Sequence, residues 1–319
     1  MKKIFISGGA GFVGSHLCEK IFENYKNSKI LILDKLTYAG NKKFLKKLLN
    51  KKNVTFIKGD ICDQKLMSKL LKNINIAINV AAESHVDNSF NNSFAFTFTN
   101  TLGSHVFFEK CRINKVKNII HVSTDEVYGQ KISGRSYEND RLLPTNPYSA
   151  SKAAAEMIAL SYKKSFKMNI TIVRSNNLYG IRQYPEKLIP KTILSFLIKK
   201  KMNLHGNGQQ LRHYLHIDDF TDGILLILKK KIKNEIINFG SNEQYQNKEI
   251  VKKISKFMKI NTNKNIKFVK DRPFNDIRYS VSFAKIKAHG WKPFRNFNKE
   301  ILTMIDWYKK NINLFKKIK

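Results

Sequence analysis

The chain has 319 residues, 42% of them hydrophobic, and carries a formal net charge of +35 at pH 7. This length is enough for one large domain or two smaller ones, and the composition is typical of a soluble globular protein. No apolar stretch approaches the ~20 residues that a membrane-spanning helix needs, so we expect no membrane span.

The strong positive charge has two explanations, a solvated lysine surface or a site for nucleic acid or anionic membrane. Lysines are scattered in short runs such as 199–201 and 229–231, and arginine, the usual residue for base and phosphate recognition, is scarce. We therefore interpret the charge as a lysine-rich surface and expect no nucleic-acid or membrane partner. Its field would still attract a nucleotide-bearing anion.

The three cysteines, Cys18, Cys62 and Cys111, show neither CxxC spacing nor even pairing. We interpret them as reduced, buried thiols of a cytoplasmic protein. The basic and apolar start of the chain gives way to glycine at Gly8, which makes it too short for a signal peptide. Neither the cysteines nor any other residues indicate a metal site.

The first predicted strand, residues 4–6, leads into a glycine-rich turn and a helical pattern over 15–25. The turn fits G-x-G-x-x-G through Gly9, Gly11 and Gly14, and a wider G-x-x-G-x-x-G through Gly8, Gly11 and Gly14. Glycines in this place permit a tight turn and let the backbone approach a pyrophosphate at the helix N-terminus. The pattern predicts a dinucleotide site.

A second strand, residues 29–33, ends at Asp34, about 20 residues after the last glycine of the turn. An acid in this position accepts hydrogen bonds from the adenosine ribose hydroxyls. It would repel a 2′-phosphate, so the sequence predicts NAD rather than NADP.

The third strand, residues 54–57, is followed by Asp60 and Ile61, which could contact adenine. Asp60 could instead cap the helix predicted over 64–71, and the sequence leaves both interpretations open. The fourth strand, 74–80, ends in small residues that let the backbone close over a cofactor. His85 follows them, and we interpret it as structural rather than catalytic.

A helix is predicted over 94–111, and the strand that follows it, 118–123, ends in Thr124, Asp125 and Glu126. Two adjacent acids at the carboxyl end of a buried strand face the crevice where α/β sheets bind ligands. Tyr148 and Lys152 are four residues apart on the helix predicted over 148–164, and so share one face. We expect the ammonium to lower the pKa of the phenol, giving a site that transfers a hydride and performs an elimination.

Strands alternate with helices up to the sixth strand, 170–174, which predicts an α/β fold with a Rossmann-type doubly wound parallel sheet. Beyond 176–180, polar clusters separate shorter elements, and residues 302–308 suit a closing helix. We therefore predict an NAD-binding domain over 1–175, to which 210–240 returns, and a smaller C-terminal substrate-binding lobe over 176–209 and 241–319. Lys187, Arg212 and Arg272 are candidates for contacts with a diphosphate.

Together these residues resemble the extended short-chain dehydrogenase/reductase family, and within it the nucleotide-sugar 4,6-dehydratases, above all those acting on dTDP-glucose. The resemblance covers nearly the whole chain. Beyond the glycine turn, its markers are DKLTYAGN at 34–41, AAESHVD at 81–87, STDEVYG at 123–129, PYSASK at 147–152 and PEKLIP at 185–190. The Thr-Asp-Glu triplet is specific, because related epimerases and decarboxylases lack it in this place.

The resemblance implies a homodimer, formed by a four-helix bundle of the helices beginning near Phe94 and Tyr148, and a set of site residues. NAD contacts are implied for Gly8, Gly11, Phe12, Val13, Gly14, Asp34, Lys35, Thr37, Asp60, Ile61, Ala81, Ala82, Ser84, Thr99, Tyr148, Lys152 and Asn177. Substrate contacts are implied for Ser84, Thr124, Asn176, Lys187, Leu188, Arg212, Asn238, Arg272 and Asn275.

The resemblance also implies a division of catalytic labour. Tyr148 takes the proton of the glucose 4-hydroxyl, which Thr124 orients, and Lys152 supports the tyrosine. Glu126 removes the C5 proton, and Asp125 protonates the departing C6 hydroxyl. The product is a 4-keto-6-deoxy sugar nucleotide plus water.

Two departures leave the nucleotide base open between thymidine and uridine. Arg212-His213-Tyr214 stands where bacterial dTDP-glucose enzymes usually have Arg-Asp-Trp. Segments 86–90 and 272–276 look more like UDP-glucose 4,6-dehydratases of eukaryotes and large viruses. More remote alternatives are a UDP-sugar 4-epimerase, against which the acid pair speaks, and a non-catalytic NAD sensor that binds nucleic acid, which has no use for Tyr148 and Lys152.

Overall fold

The computed structural model describes residues 1–315 of the chain. The strands are β1 (Lys3–Ser7), β2 (Lys29–Asp34), β3 (Val54–Lys58), β4 (Ile76–Asn79), β5 (Asn118–Val122), β6 (Ile170–Ser175), β7 (Asn177–Tyr179), β8 (Met202–His205), β9 (Leu211–His216), β10 (Ile236–Phe239), β11 (Gln244–Gln246) and β12 (Ile266–Val269). The α-helices are α1 (Phe12–Asn24), α2 (Lys46–Leu49), α3 (Gln64–Leu70), α4 (Val86–Asn91), α5 (Ser93–Phe96), α6 (Gly103–Ile113), α7 (Pro147–Ser165), α8 (Leu188–Leu197), α9 (Ile217–Lys230), α10 (Asn247–Phe257), α11 (Thr262–Asn265), α12 (Ala284–Ala288) and α13 (Phe297–Lys310). Short 3-10 turns lie at Lys42–Leu45, Asp125–Tyr128 and Ile312–Phe315.

Seven of the strands form one parallel sheet in the order β10-β6-β5-β4-β1-β2-β3. The inner strands are apolar runs because helices cover both faces of a parallel sheet; Ile4, Phe5 and Ile6, for example, are fully buried. Helices α1 and α9 pack on one face, and α3, α6 and α7 pack on the other. The predicted fold class, a Rossmann-type doubly wound sheet, is therefore confirmed.

A smaller lobe is built from β7, β9 and β11, from the pair β8 and β12, and from the apolar faces of α8, α10 and α13. Segment 210–240 divides between the two parts. Strand β9 belongs to the three-stranded sheet of the lobe, whereas α9 packs on α1 and β10 joins the central sheet. Residues 316–319 of the predicted lobe lie outside the described residues, and the predicted domain boundaries stay a prediction.

The helix predicted over 94–111 is not regular. Helix α5 passes at Thr97–Leu102 into a π-helical turn, and α6 begins at Gly103. An added Cβ on Gly103 would lie 2.6 Å from Ile61 Cγ2, so the chain passes very close to the segment after β3 here. The wider turn also directs the fully buried Asn100 inward, and π-turns of this kind are frequent at functional sites.

Among residues 1–315, none of the helices combines the length and the apolar character that crossing a membrane requires.

Candidate active site

A cavity of about 390 Å³ lies at the carboxyl ends of the central strands, where the sheet meets the small lobe. Open α/β sheets bind their ligands at this edge because the loops and helix N-termini converge there. The loops after β1, β2, β4, β5 and β6 line one side, and lobe residues line the other. The cavity is therefore the place where the sequence motifs meet.

The glycine turn forms the floor of one half of this cavity. Gly8 has φ +68°, and an added Cβ on Gly14 would lie 2.0 Å from Gly8 O. The first turn of α1 thus touches the backbone of the turn, which leaves the amide groups near Gly11 accessible at a helix N-terminus. The arrangement fits the pyrophosphate of a dinucleotide.

Asp34 ends β2 beside the turn, and its carboxylate accepts hydrogen bonds from Ala10 N at 2.8 Å and Leu36 N at 2.7 Å. Burial raises the pKa of Asp34, and these backbone donors oppose the rise. The side chain is held at the cavity wall with acceptor capacity left for ribose hydroxyls.

Asp60 does not cap the following helix, α3, so the helix-cap interpretation of this residue is wrong. The cap of α3 is Asp63, whose Oδ1 accepts from Leu66 N at 2.9 Å. Asp60 instead lies at the cavity and pairs with Lys35 at 2.7 Å.

A clamp that the sequence did not reveal fixes the loop after β4. Asn100, in the π-turn, accepts from Glu83 N at 2.8 Å and donates to Glu83 O at 3.0 Å and to Ser151 Oγ at 2.9 Å. The loop that carries Ala81, Ala82 and Ser84 is thereby tied to helix α7. The only signal in the sequence was an Asn within an apolar helical pattern.

Tyr148 and Lys152 lie in the first turns of α7, whose start is fixed by Asn146. The Asn146 side chain accepts from Ser149 N at 2.9 Å, and Pro147 occupies the first helical position. Lys152 Nζ donates to Val122 O at 2.6 Å, and burial lowers its pKa to about 8.

The expectation that the ammonium lowers the pKa of Tyr148 is wrong for this arrangement. Burial and the nearby charge of Glu126 raise the pKa of Tyr148 above its usual range, and a hydrogen-bonding interaction with Thr124 offsets part of that rise. Lys152 is not among the groups that shift this pKa, and its ammonium donates to the Val122 carbonyl.

Thr124, Asp125 and Glu126 follow β5 as a 3-10 turn begins, with Thr124 Oγ1 accepting from Glu126 N at 3.3 Å. Thr124 and Glu126 line the cavity, but Asp125 does not. The Asp125 carboxylate, which is buried, accepts from Asn176 Nδ2 at 2.7 Å and from Thr124 Oγ1 at 3.4 Å.

The two acids differ in their electrostatic surroundings. Burial, supported by the charge of Glu126, raises the pKa of Asp125 to about 7. Burial also raises the pKa of Glu126, but the cations Lys187, Arg212 and Arg272 oppose that rise. Glu126 in addition accepts from Asn146 Nδ2 at 3.5 Å. The arrangement favours a protonated Asp125 beside an ionised Glu126.

The same three cations line the lobe side of the cavity. Arg212 donates to Asn275 Oδ1 at 3.2 Å and lies over the Tyr279 ring at 4.6 Å. Arg272 Nε lies 3.0 Å from Asp87 Oδ1, and Lys187 Nζ donates to Ser84 O. A diphosphate would meet positive charge from three separate segments of the lobe.

Asn238 does not reach the cavity, which differs from the predicted substrate contact. It is fully buried on β10, accepts from Tyr128 OH at 2.9 Å and holds the backbone near Ser136. Both ends of its side-chain amide are therefore bonded to the segment that follows β5.

Except for Asp125 and Asn238, every predicted site residue lines the cavity. The predicted site set missed further lining residues, among them Glu83, Asn146, Tyr184, Glu186, Tyr214, Asn247, Phe274, Asp276 and Tyr279. His85 also lines it. Burial lowers its pKa to about 4, which makes it neutral near pH 7 and consistent with a structural role.

Comparison with known proteins places these observations in a family. The sequence family described as GDP-mannose 4,6 dehydratase matches residues 5–304. A dTDP-D-glucose 4,6-dehydratase of Dictyostelium discoideum is 40% identical, over 98% of this chain and 83% of the relative.

The chain is also similar to a protein named for UDP-glucose and to a protein of known crystal structure. An Arabidopsis thaliana protein named trifunctional UDP-glucose 4,6-dehydratase/UDP-4-keto-6-deoxy-D-glucose 3,5-epimerase/UDP-4-keto-L-rhamnose-reductase is also 40% identical, over 97% of this chain and 47% of the relative. The crystal structure of a dTDP-glucose 4,6-dehydratase from Streptomyces venezuelae with NAD bound superposes with a TM-score of 0.96. It is 33% identical and covers 99% of this chain and 100% of that one.

Proposed function

Because the chain belongs to the GDP-mannose 4,6-dehydratase family, we propose that it is an NAD-dependent hydro-lyase that converts dTDP-glucose to dTDP-4-keto-6-deoxyglucose and water. The observation that carries the proposal is that Tyr148, Lys152, Thr124 and Glu126 line the same cavity as the glycine turn. The relatives named dTDP-glucose 4,6-dehydratases support dTDP-glucose as the substrate.

The residues at the glycine turn fit NAD. The close passage of Gly14 over Gly8 O leaves room for a pyrophosphate only because no side chain intervenes, and Asp34 meets the ribose. When bound there, NAD supplies reversible hydride transfer, from C4 of the sugar at the start and to C6 at the end.

Tyr148 and Thr124 act in the oxidation at C4. Once it has lost its own proton, the tyrosine oxygen takes the proton of the 4-hydroxyl, and the threonine hydroxyl at the cavity wall orients that hydroxyl. Lys152, which is anchored on Val122 O, holds the nicotinamide ribose and keeps positive charge near the reacting end.

Asp125 and Glu126 carry out the elimination. Glu126 takes the proton from C5, which the C4 ketone has acidified, and later returns it. Asp125 protonates the departing C6 hydroxyl, and its raised pKa of about 7 keeps a proton available for this step. The Asp125 carboxyl must turn past Thr124 and Asn176 to meet the sugar, because here it lies behind both.

The diphosphate is held by Lys187, Arg212 and Arg272. The ion pair of Arg272 with Asp87 supports this role, since it keeps the guanidinium extended toward the cavity from an otherwise separate loop. Asn275, which accepts from Arg212, and Asn176 add polar groups to the same cavity wall.

The protein acts as a homodimer in the cytoplasm. A dimer is supported by exposed apolar side chains on elements that contact each other. Phe94 of α5 is 75% exposed and Phe98 of the π-helical turn 58% exposed, and Met157 is exposed on α7, which packs against both elements. A large apolar patch on a monomer is typical of an association surface. Three free cysteines support a reducing compartment. Residues 1–175 hold NAD, and 176–209 with 241–319 hold the substrate.

Turnover of dTDP-glucose and UDP-glucose by the purified enzyme tests the function and the base together. We expect a 4-keto-6-deoxy product from dTDP-glucose at a higher kcat/KM. The product made in D₂O should carry one deuterium at C5, because Glu126 exchanges its proton with solvent, while the hydrogen added to C6 comes from C4. An epimerase would instead return a sugar that keeps its C6 oxygen, and that outcome would exclude the proposal.

A further inference from the structure

This inference rests on the proposed function, in which each turnover leaves Tyr148 and Asp125 with changed protonation states. In each turnover Tyr148 gains a proton from the 4-hydroxyl, and Asp125 loses one to the departing hydroxyl, which leaves as water. Glu126 takes and returns the same equivalent. Before the next turnover, Tyr148 must therefore lose a proton and Asp125 must regain one.

Asp125 is poorly placed to regain a proton directly from solvent. Its side chain is 2% exposed and is absent from the cavity wall. Within residues 1–315 its carboxylate has two side-chain hydrogen-bond partners, the amide of Asn176 at 2.7 Å and the hydroxyl of Thr124 at 3.4 Å. An amide NH₂ donates but does not pass protons on, whereas a hydroxyl both donates and accepts.

Thr124 has the surroundings that a relay needs. Its hydroxyl lies on the cavity wall, where it accepts from Glu126 N at 3.3 Å, and it donates to Asp125 Oδ1 at 3.4 Å. The charged groups around Asp125 are Glu126 and Arg212. Neither is hydrogen-bonded to it in the described residues, so neither offers a shorter path.

The lysine offers no alternative route to this acid. Lys152 Nζ donates to Val122 O, a carbonyl with no proton to give. Among the described residues Lys152 is not a hydrogen-bond partner of Asp125.

We propose that the Thr124 hydroxyl is the proton relay that reprotonates Asp125 after each turnover. An acid in the cavity, hydronium or a protonated buffer, gives a proton to Thr124 Oγ1 while Thr124 gives its own proton to Asp125 Oδ1. One O–H bond is broken and one formed at the threonine, which ends unchanged, and the carboxylic acid of Asp125 is restored. Tyr148 loses its proton to solvent in a separate step.

The first test measures proton access without any turnover. In the purified protein, infrared absorption of the carboxylic acid that is lost in Asp125→Asn identifies the Asp125 band. After a rapid drop in pH from 8.5 to 5.5, we expect this band to appear at least about tenfold more slowly in Thr124→Val than in wild type. Thr124→Ser keeps the hydroxyl and should protonate at the wild-type rate.

The second test separates the first turnover from later ones. Thr124 also orients the substrate, so Thr124→Val slows the first turnover; the relay adds a further slowing of at least about tenfold to every later one. Product should therefore appear as a burst of one equivalent per site. Small amine or carboxylic acid buffers should restore the later rate, and Thr124→Ser should show no burst.

The outcomes distinguish the relay from the function on which it rests. Equal protonation rates of Asp125 in Thr124→Val, Thr124→Ser and wild type would overturn the relay, whatever the enzyme catalyses. A wild-type enzyme that makes no 6-deoxy product would overturn the proposed function, while the infrared rates would still decide whether Thr124 controls the proton on Asp125.

Discussion

The two halves of the cavity are built in different ways. The cofactor half is mostly backbone: Gly8 and Gly14 touch through main-chain atoms, and Asp34 is fixed by two backbone amides. The reaction half is made of side chains that hold other side chains, with Asn176 on Asp125 and Asn146 on Glu126. The first half depends on segments close in sequence, the second on segments from β5, α7, β6 and the lobe.

This difference determines how each half responds to change. Backbone contacts give a rigid frame in which an added atom collides, whereas the charged side chains of the other half set each other's protonation. Substitutions in the reaction half should therefore act on rate and pH dependence. Substitutions in the cofactor half should act on affinity and stability.

The largest expected effect is in the reaction half. Glu126→Gln keeps the shape but removes the base, so release of the 6-deoxy product should fall by roughly 10²–10⁴, the usual contribution of a general acid–base group. Oxidation at C4 should persist, seen as absorbance of reduced cofactor and a trapped 4-keto sugar nucleotide. Tyr148→Phe should instead stop before any reduced cofactor forms.

Glu23, which is exposed on α1, provides the matched control for this substitution. Glu23→Gln should leave turnover at the wild-type rate. Normal turnover by Glu126→Gln would mean that the reaction half does not depend on this side chain, and the contrast between the halves would fail.

The next effect is in the cofactor half. Asp34→Asn keeps the shape but removes the charge, and should weaken NAD by about 1.5–3 kcal/mol, the worth of a charge-assisted hydrogen bond. NADP should weaken less, because its 2′-phosphate is no longer repelled. Calorimetric titration with both cofactors measures this, with Asp63→Asn, a cap exchange on α3, as control. Equal losses for NAD and NADP would contradict the assignment.

A comparable but smaller effect is expected for Gly14→Ala. The new Cβ would lie 2.0 Å from Gly8 O and 2.7 Å from Gly9 Cα, both backbone atoms, so the turn must shift at a cost of about 1–3 kcal/mol. Thermal unfolding and NAD affinity should both fall. At Gly11 the nearest atom is Gly8 O at 3.4 Å, so Gly11→Ala should unfold near the wild-type temperature. Similar destabilisation by both would show that the turn is not a rigid frame.

The last expected effect is a pH dependence confined to the reaction half, and it is small near pH 7. Asp125 donates only when protonated, and its pKa is raised to about 7. As pH rises through that value the protonated fraction falls, so saturated kcat should decline above about pH 7, approaching tenfold per pH unit. Glu126 works only when ionised, which sets the fall on the acid side. A kcat that stays constant from pH 6 to 9 would disagree with this assignment.

The cofactor half was accessible from the sequence because its signals are local. The run 4–6, the glycine turn and Asp34 follow each other within about 30 residues. The π-turn at Thr97–Leu102 was not predicted, because the helical pattern continues through it. The close approach of Gly103 to Ile61, next to this turn, is a tertiary contact that a periodicity does not reveal.

The reaction half was predicted as a set of residues but not as an arrangement. The burial of Asp125 depends on Asn176, 51 residues away, and the direction of Asn238 depends on Tyr128, 110 residues away. The engagement of Lys152 by Val122 O could not be inferred from the spacing of Tyr148 and Lys152. Contacts between distant segments leave no periodicity in a single sequence.

Asn146 has a consequence for anyone redesigning this chain. Asn, Asp and Ser ordinarily replace one another at a helix N-cap with little loss of stability. Here, however, the Asn146 amide oxygen caps α7 while its amide nitrogen donates to Glu126. Asn146→Asp would keep the cap and place a second negative charge beside the base. Asn146→Ser would keep the cap and leave that contact empty. Helix stability alone would allow several residues at position 146, but the contact with Glu126 requires an amide there.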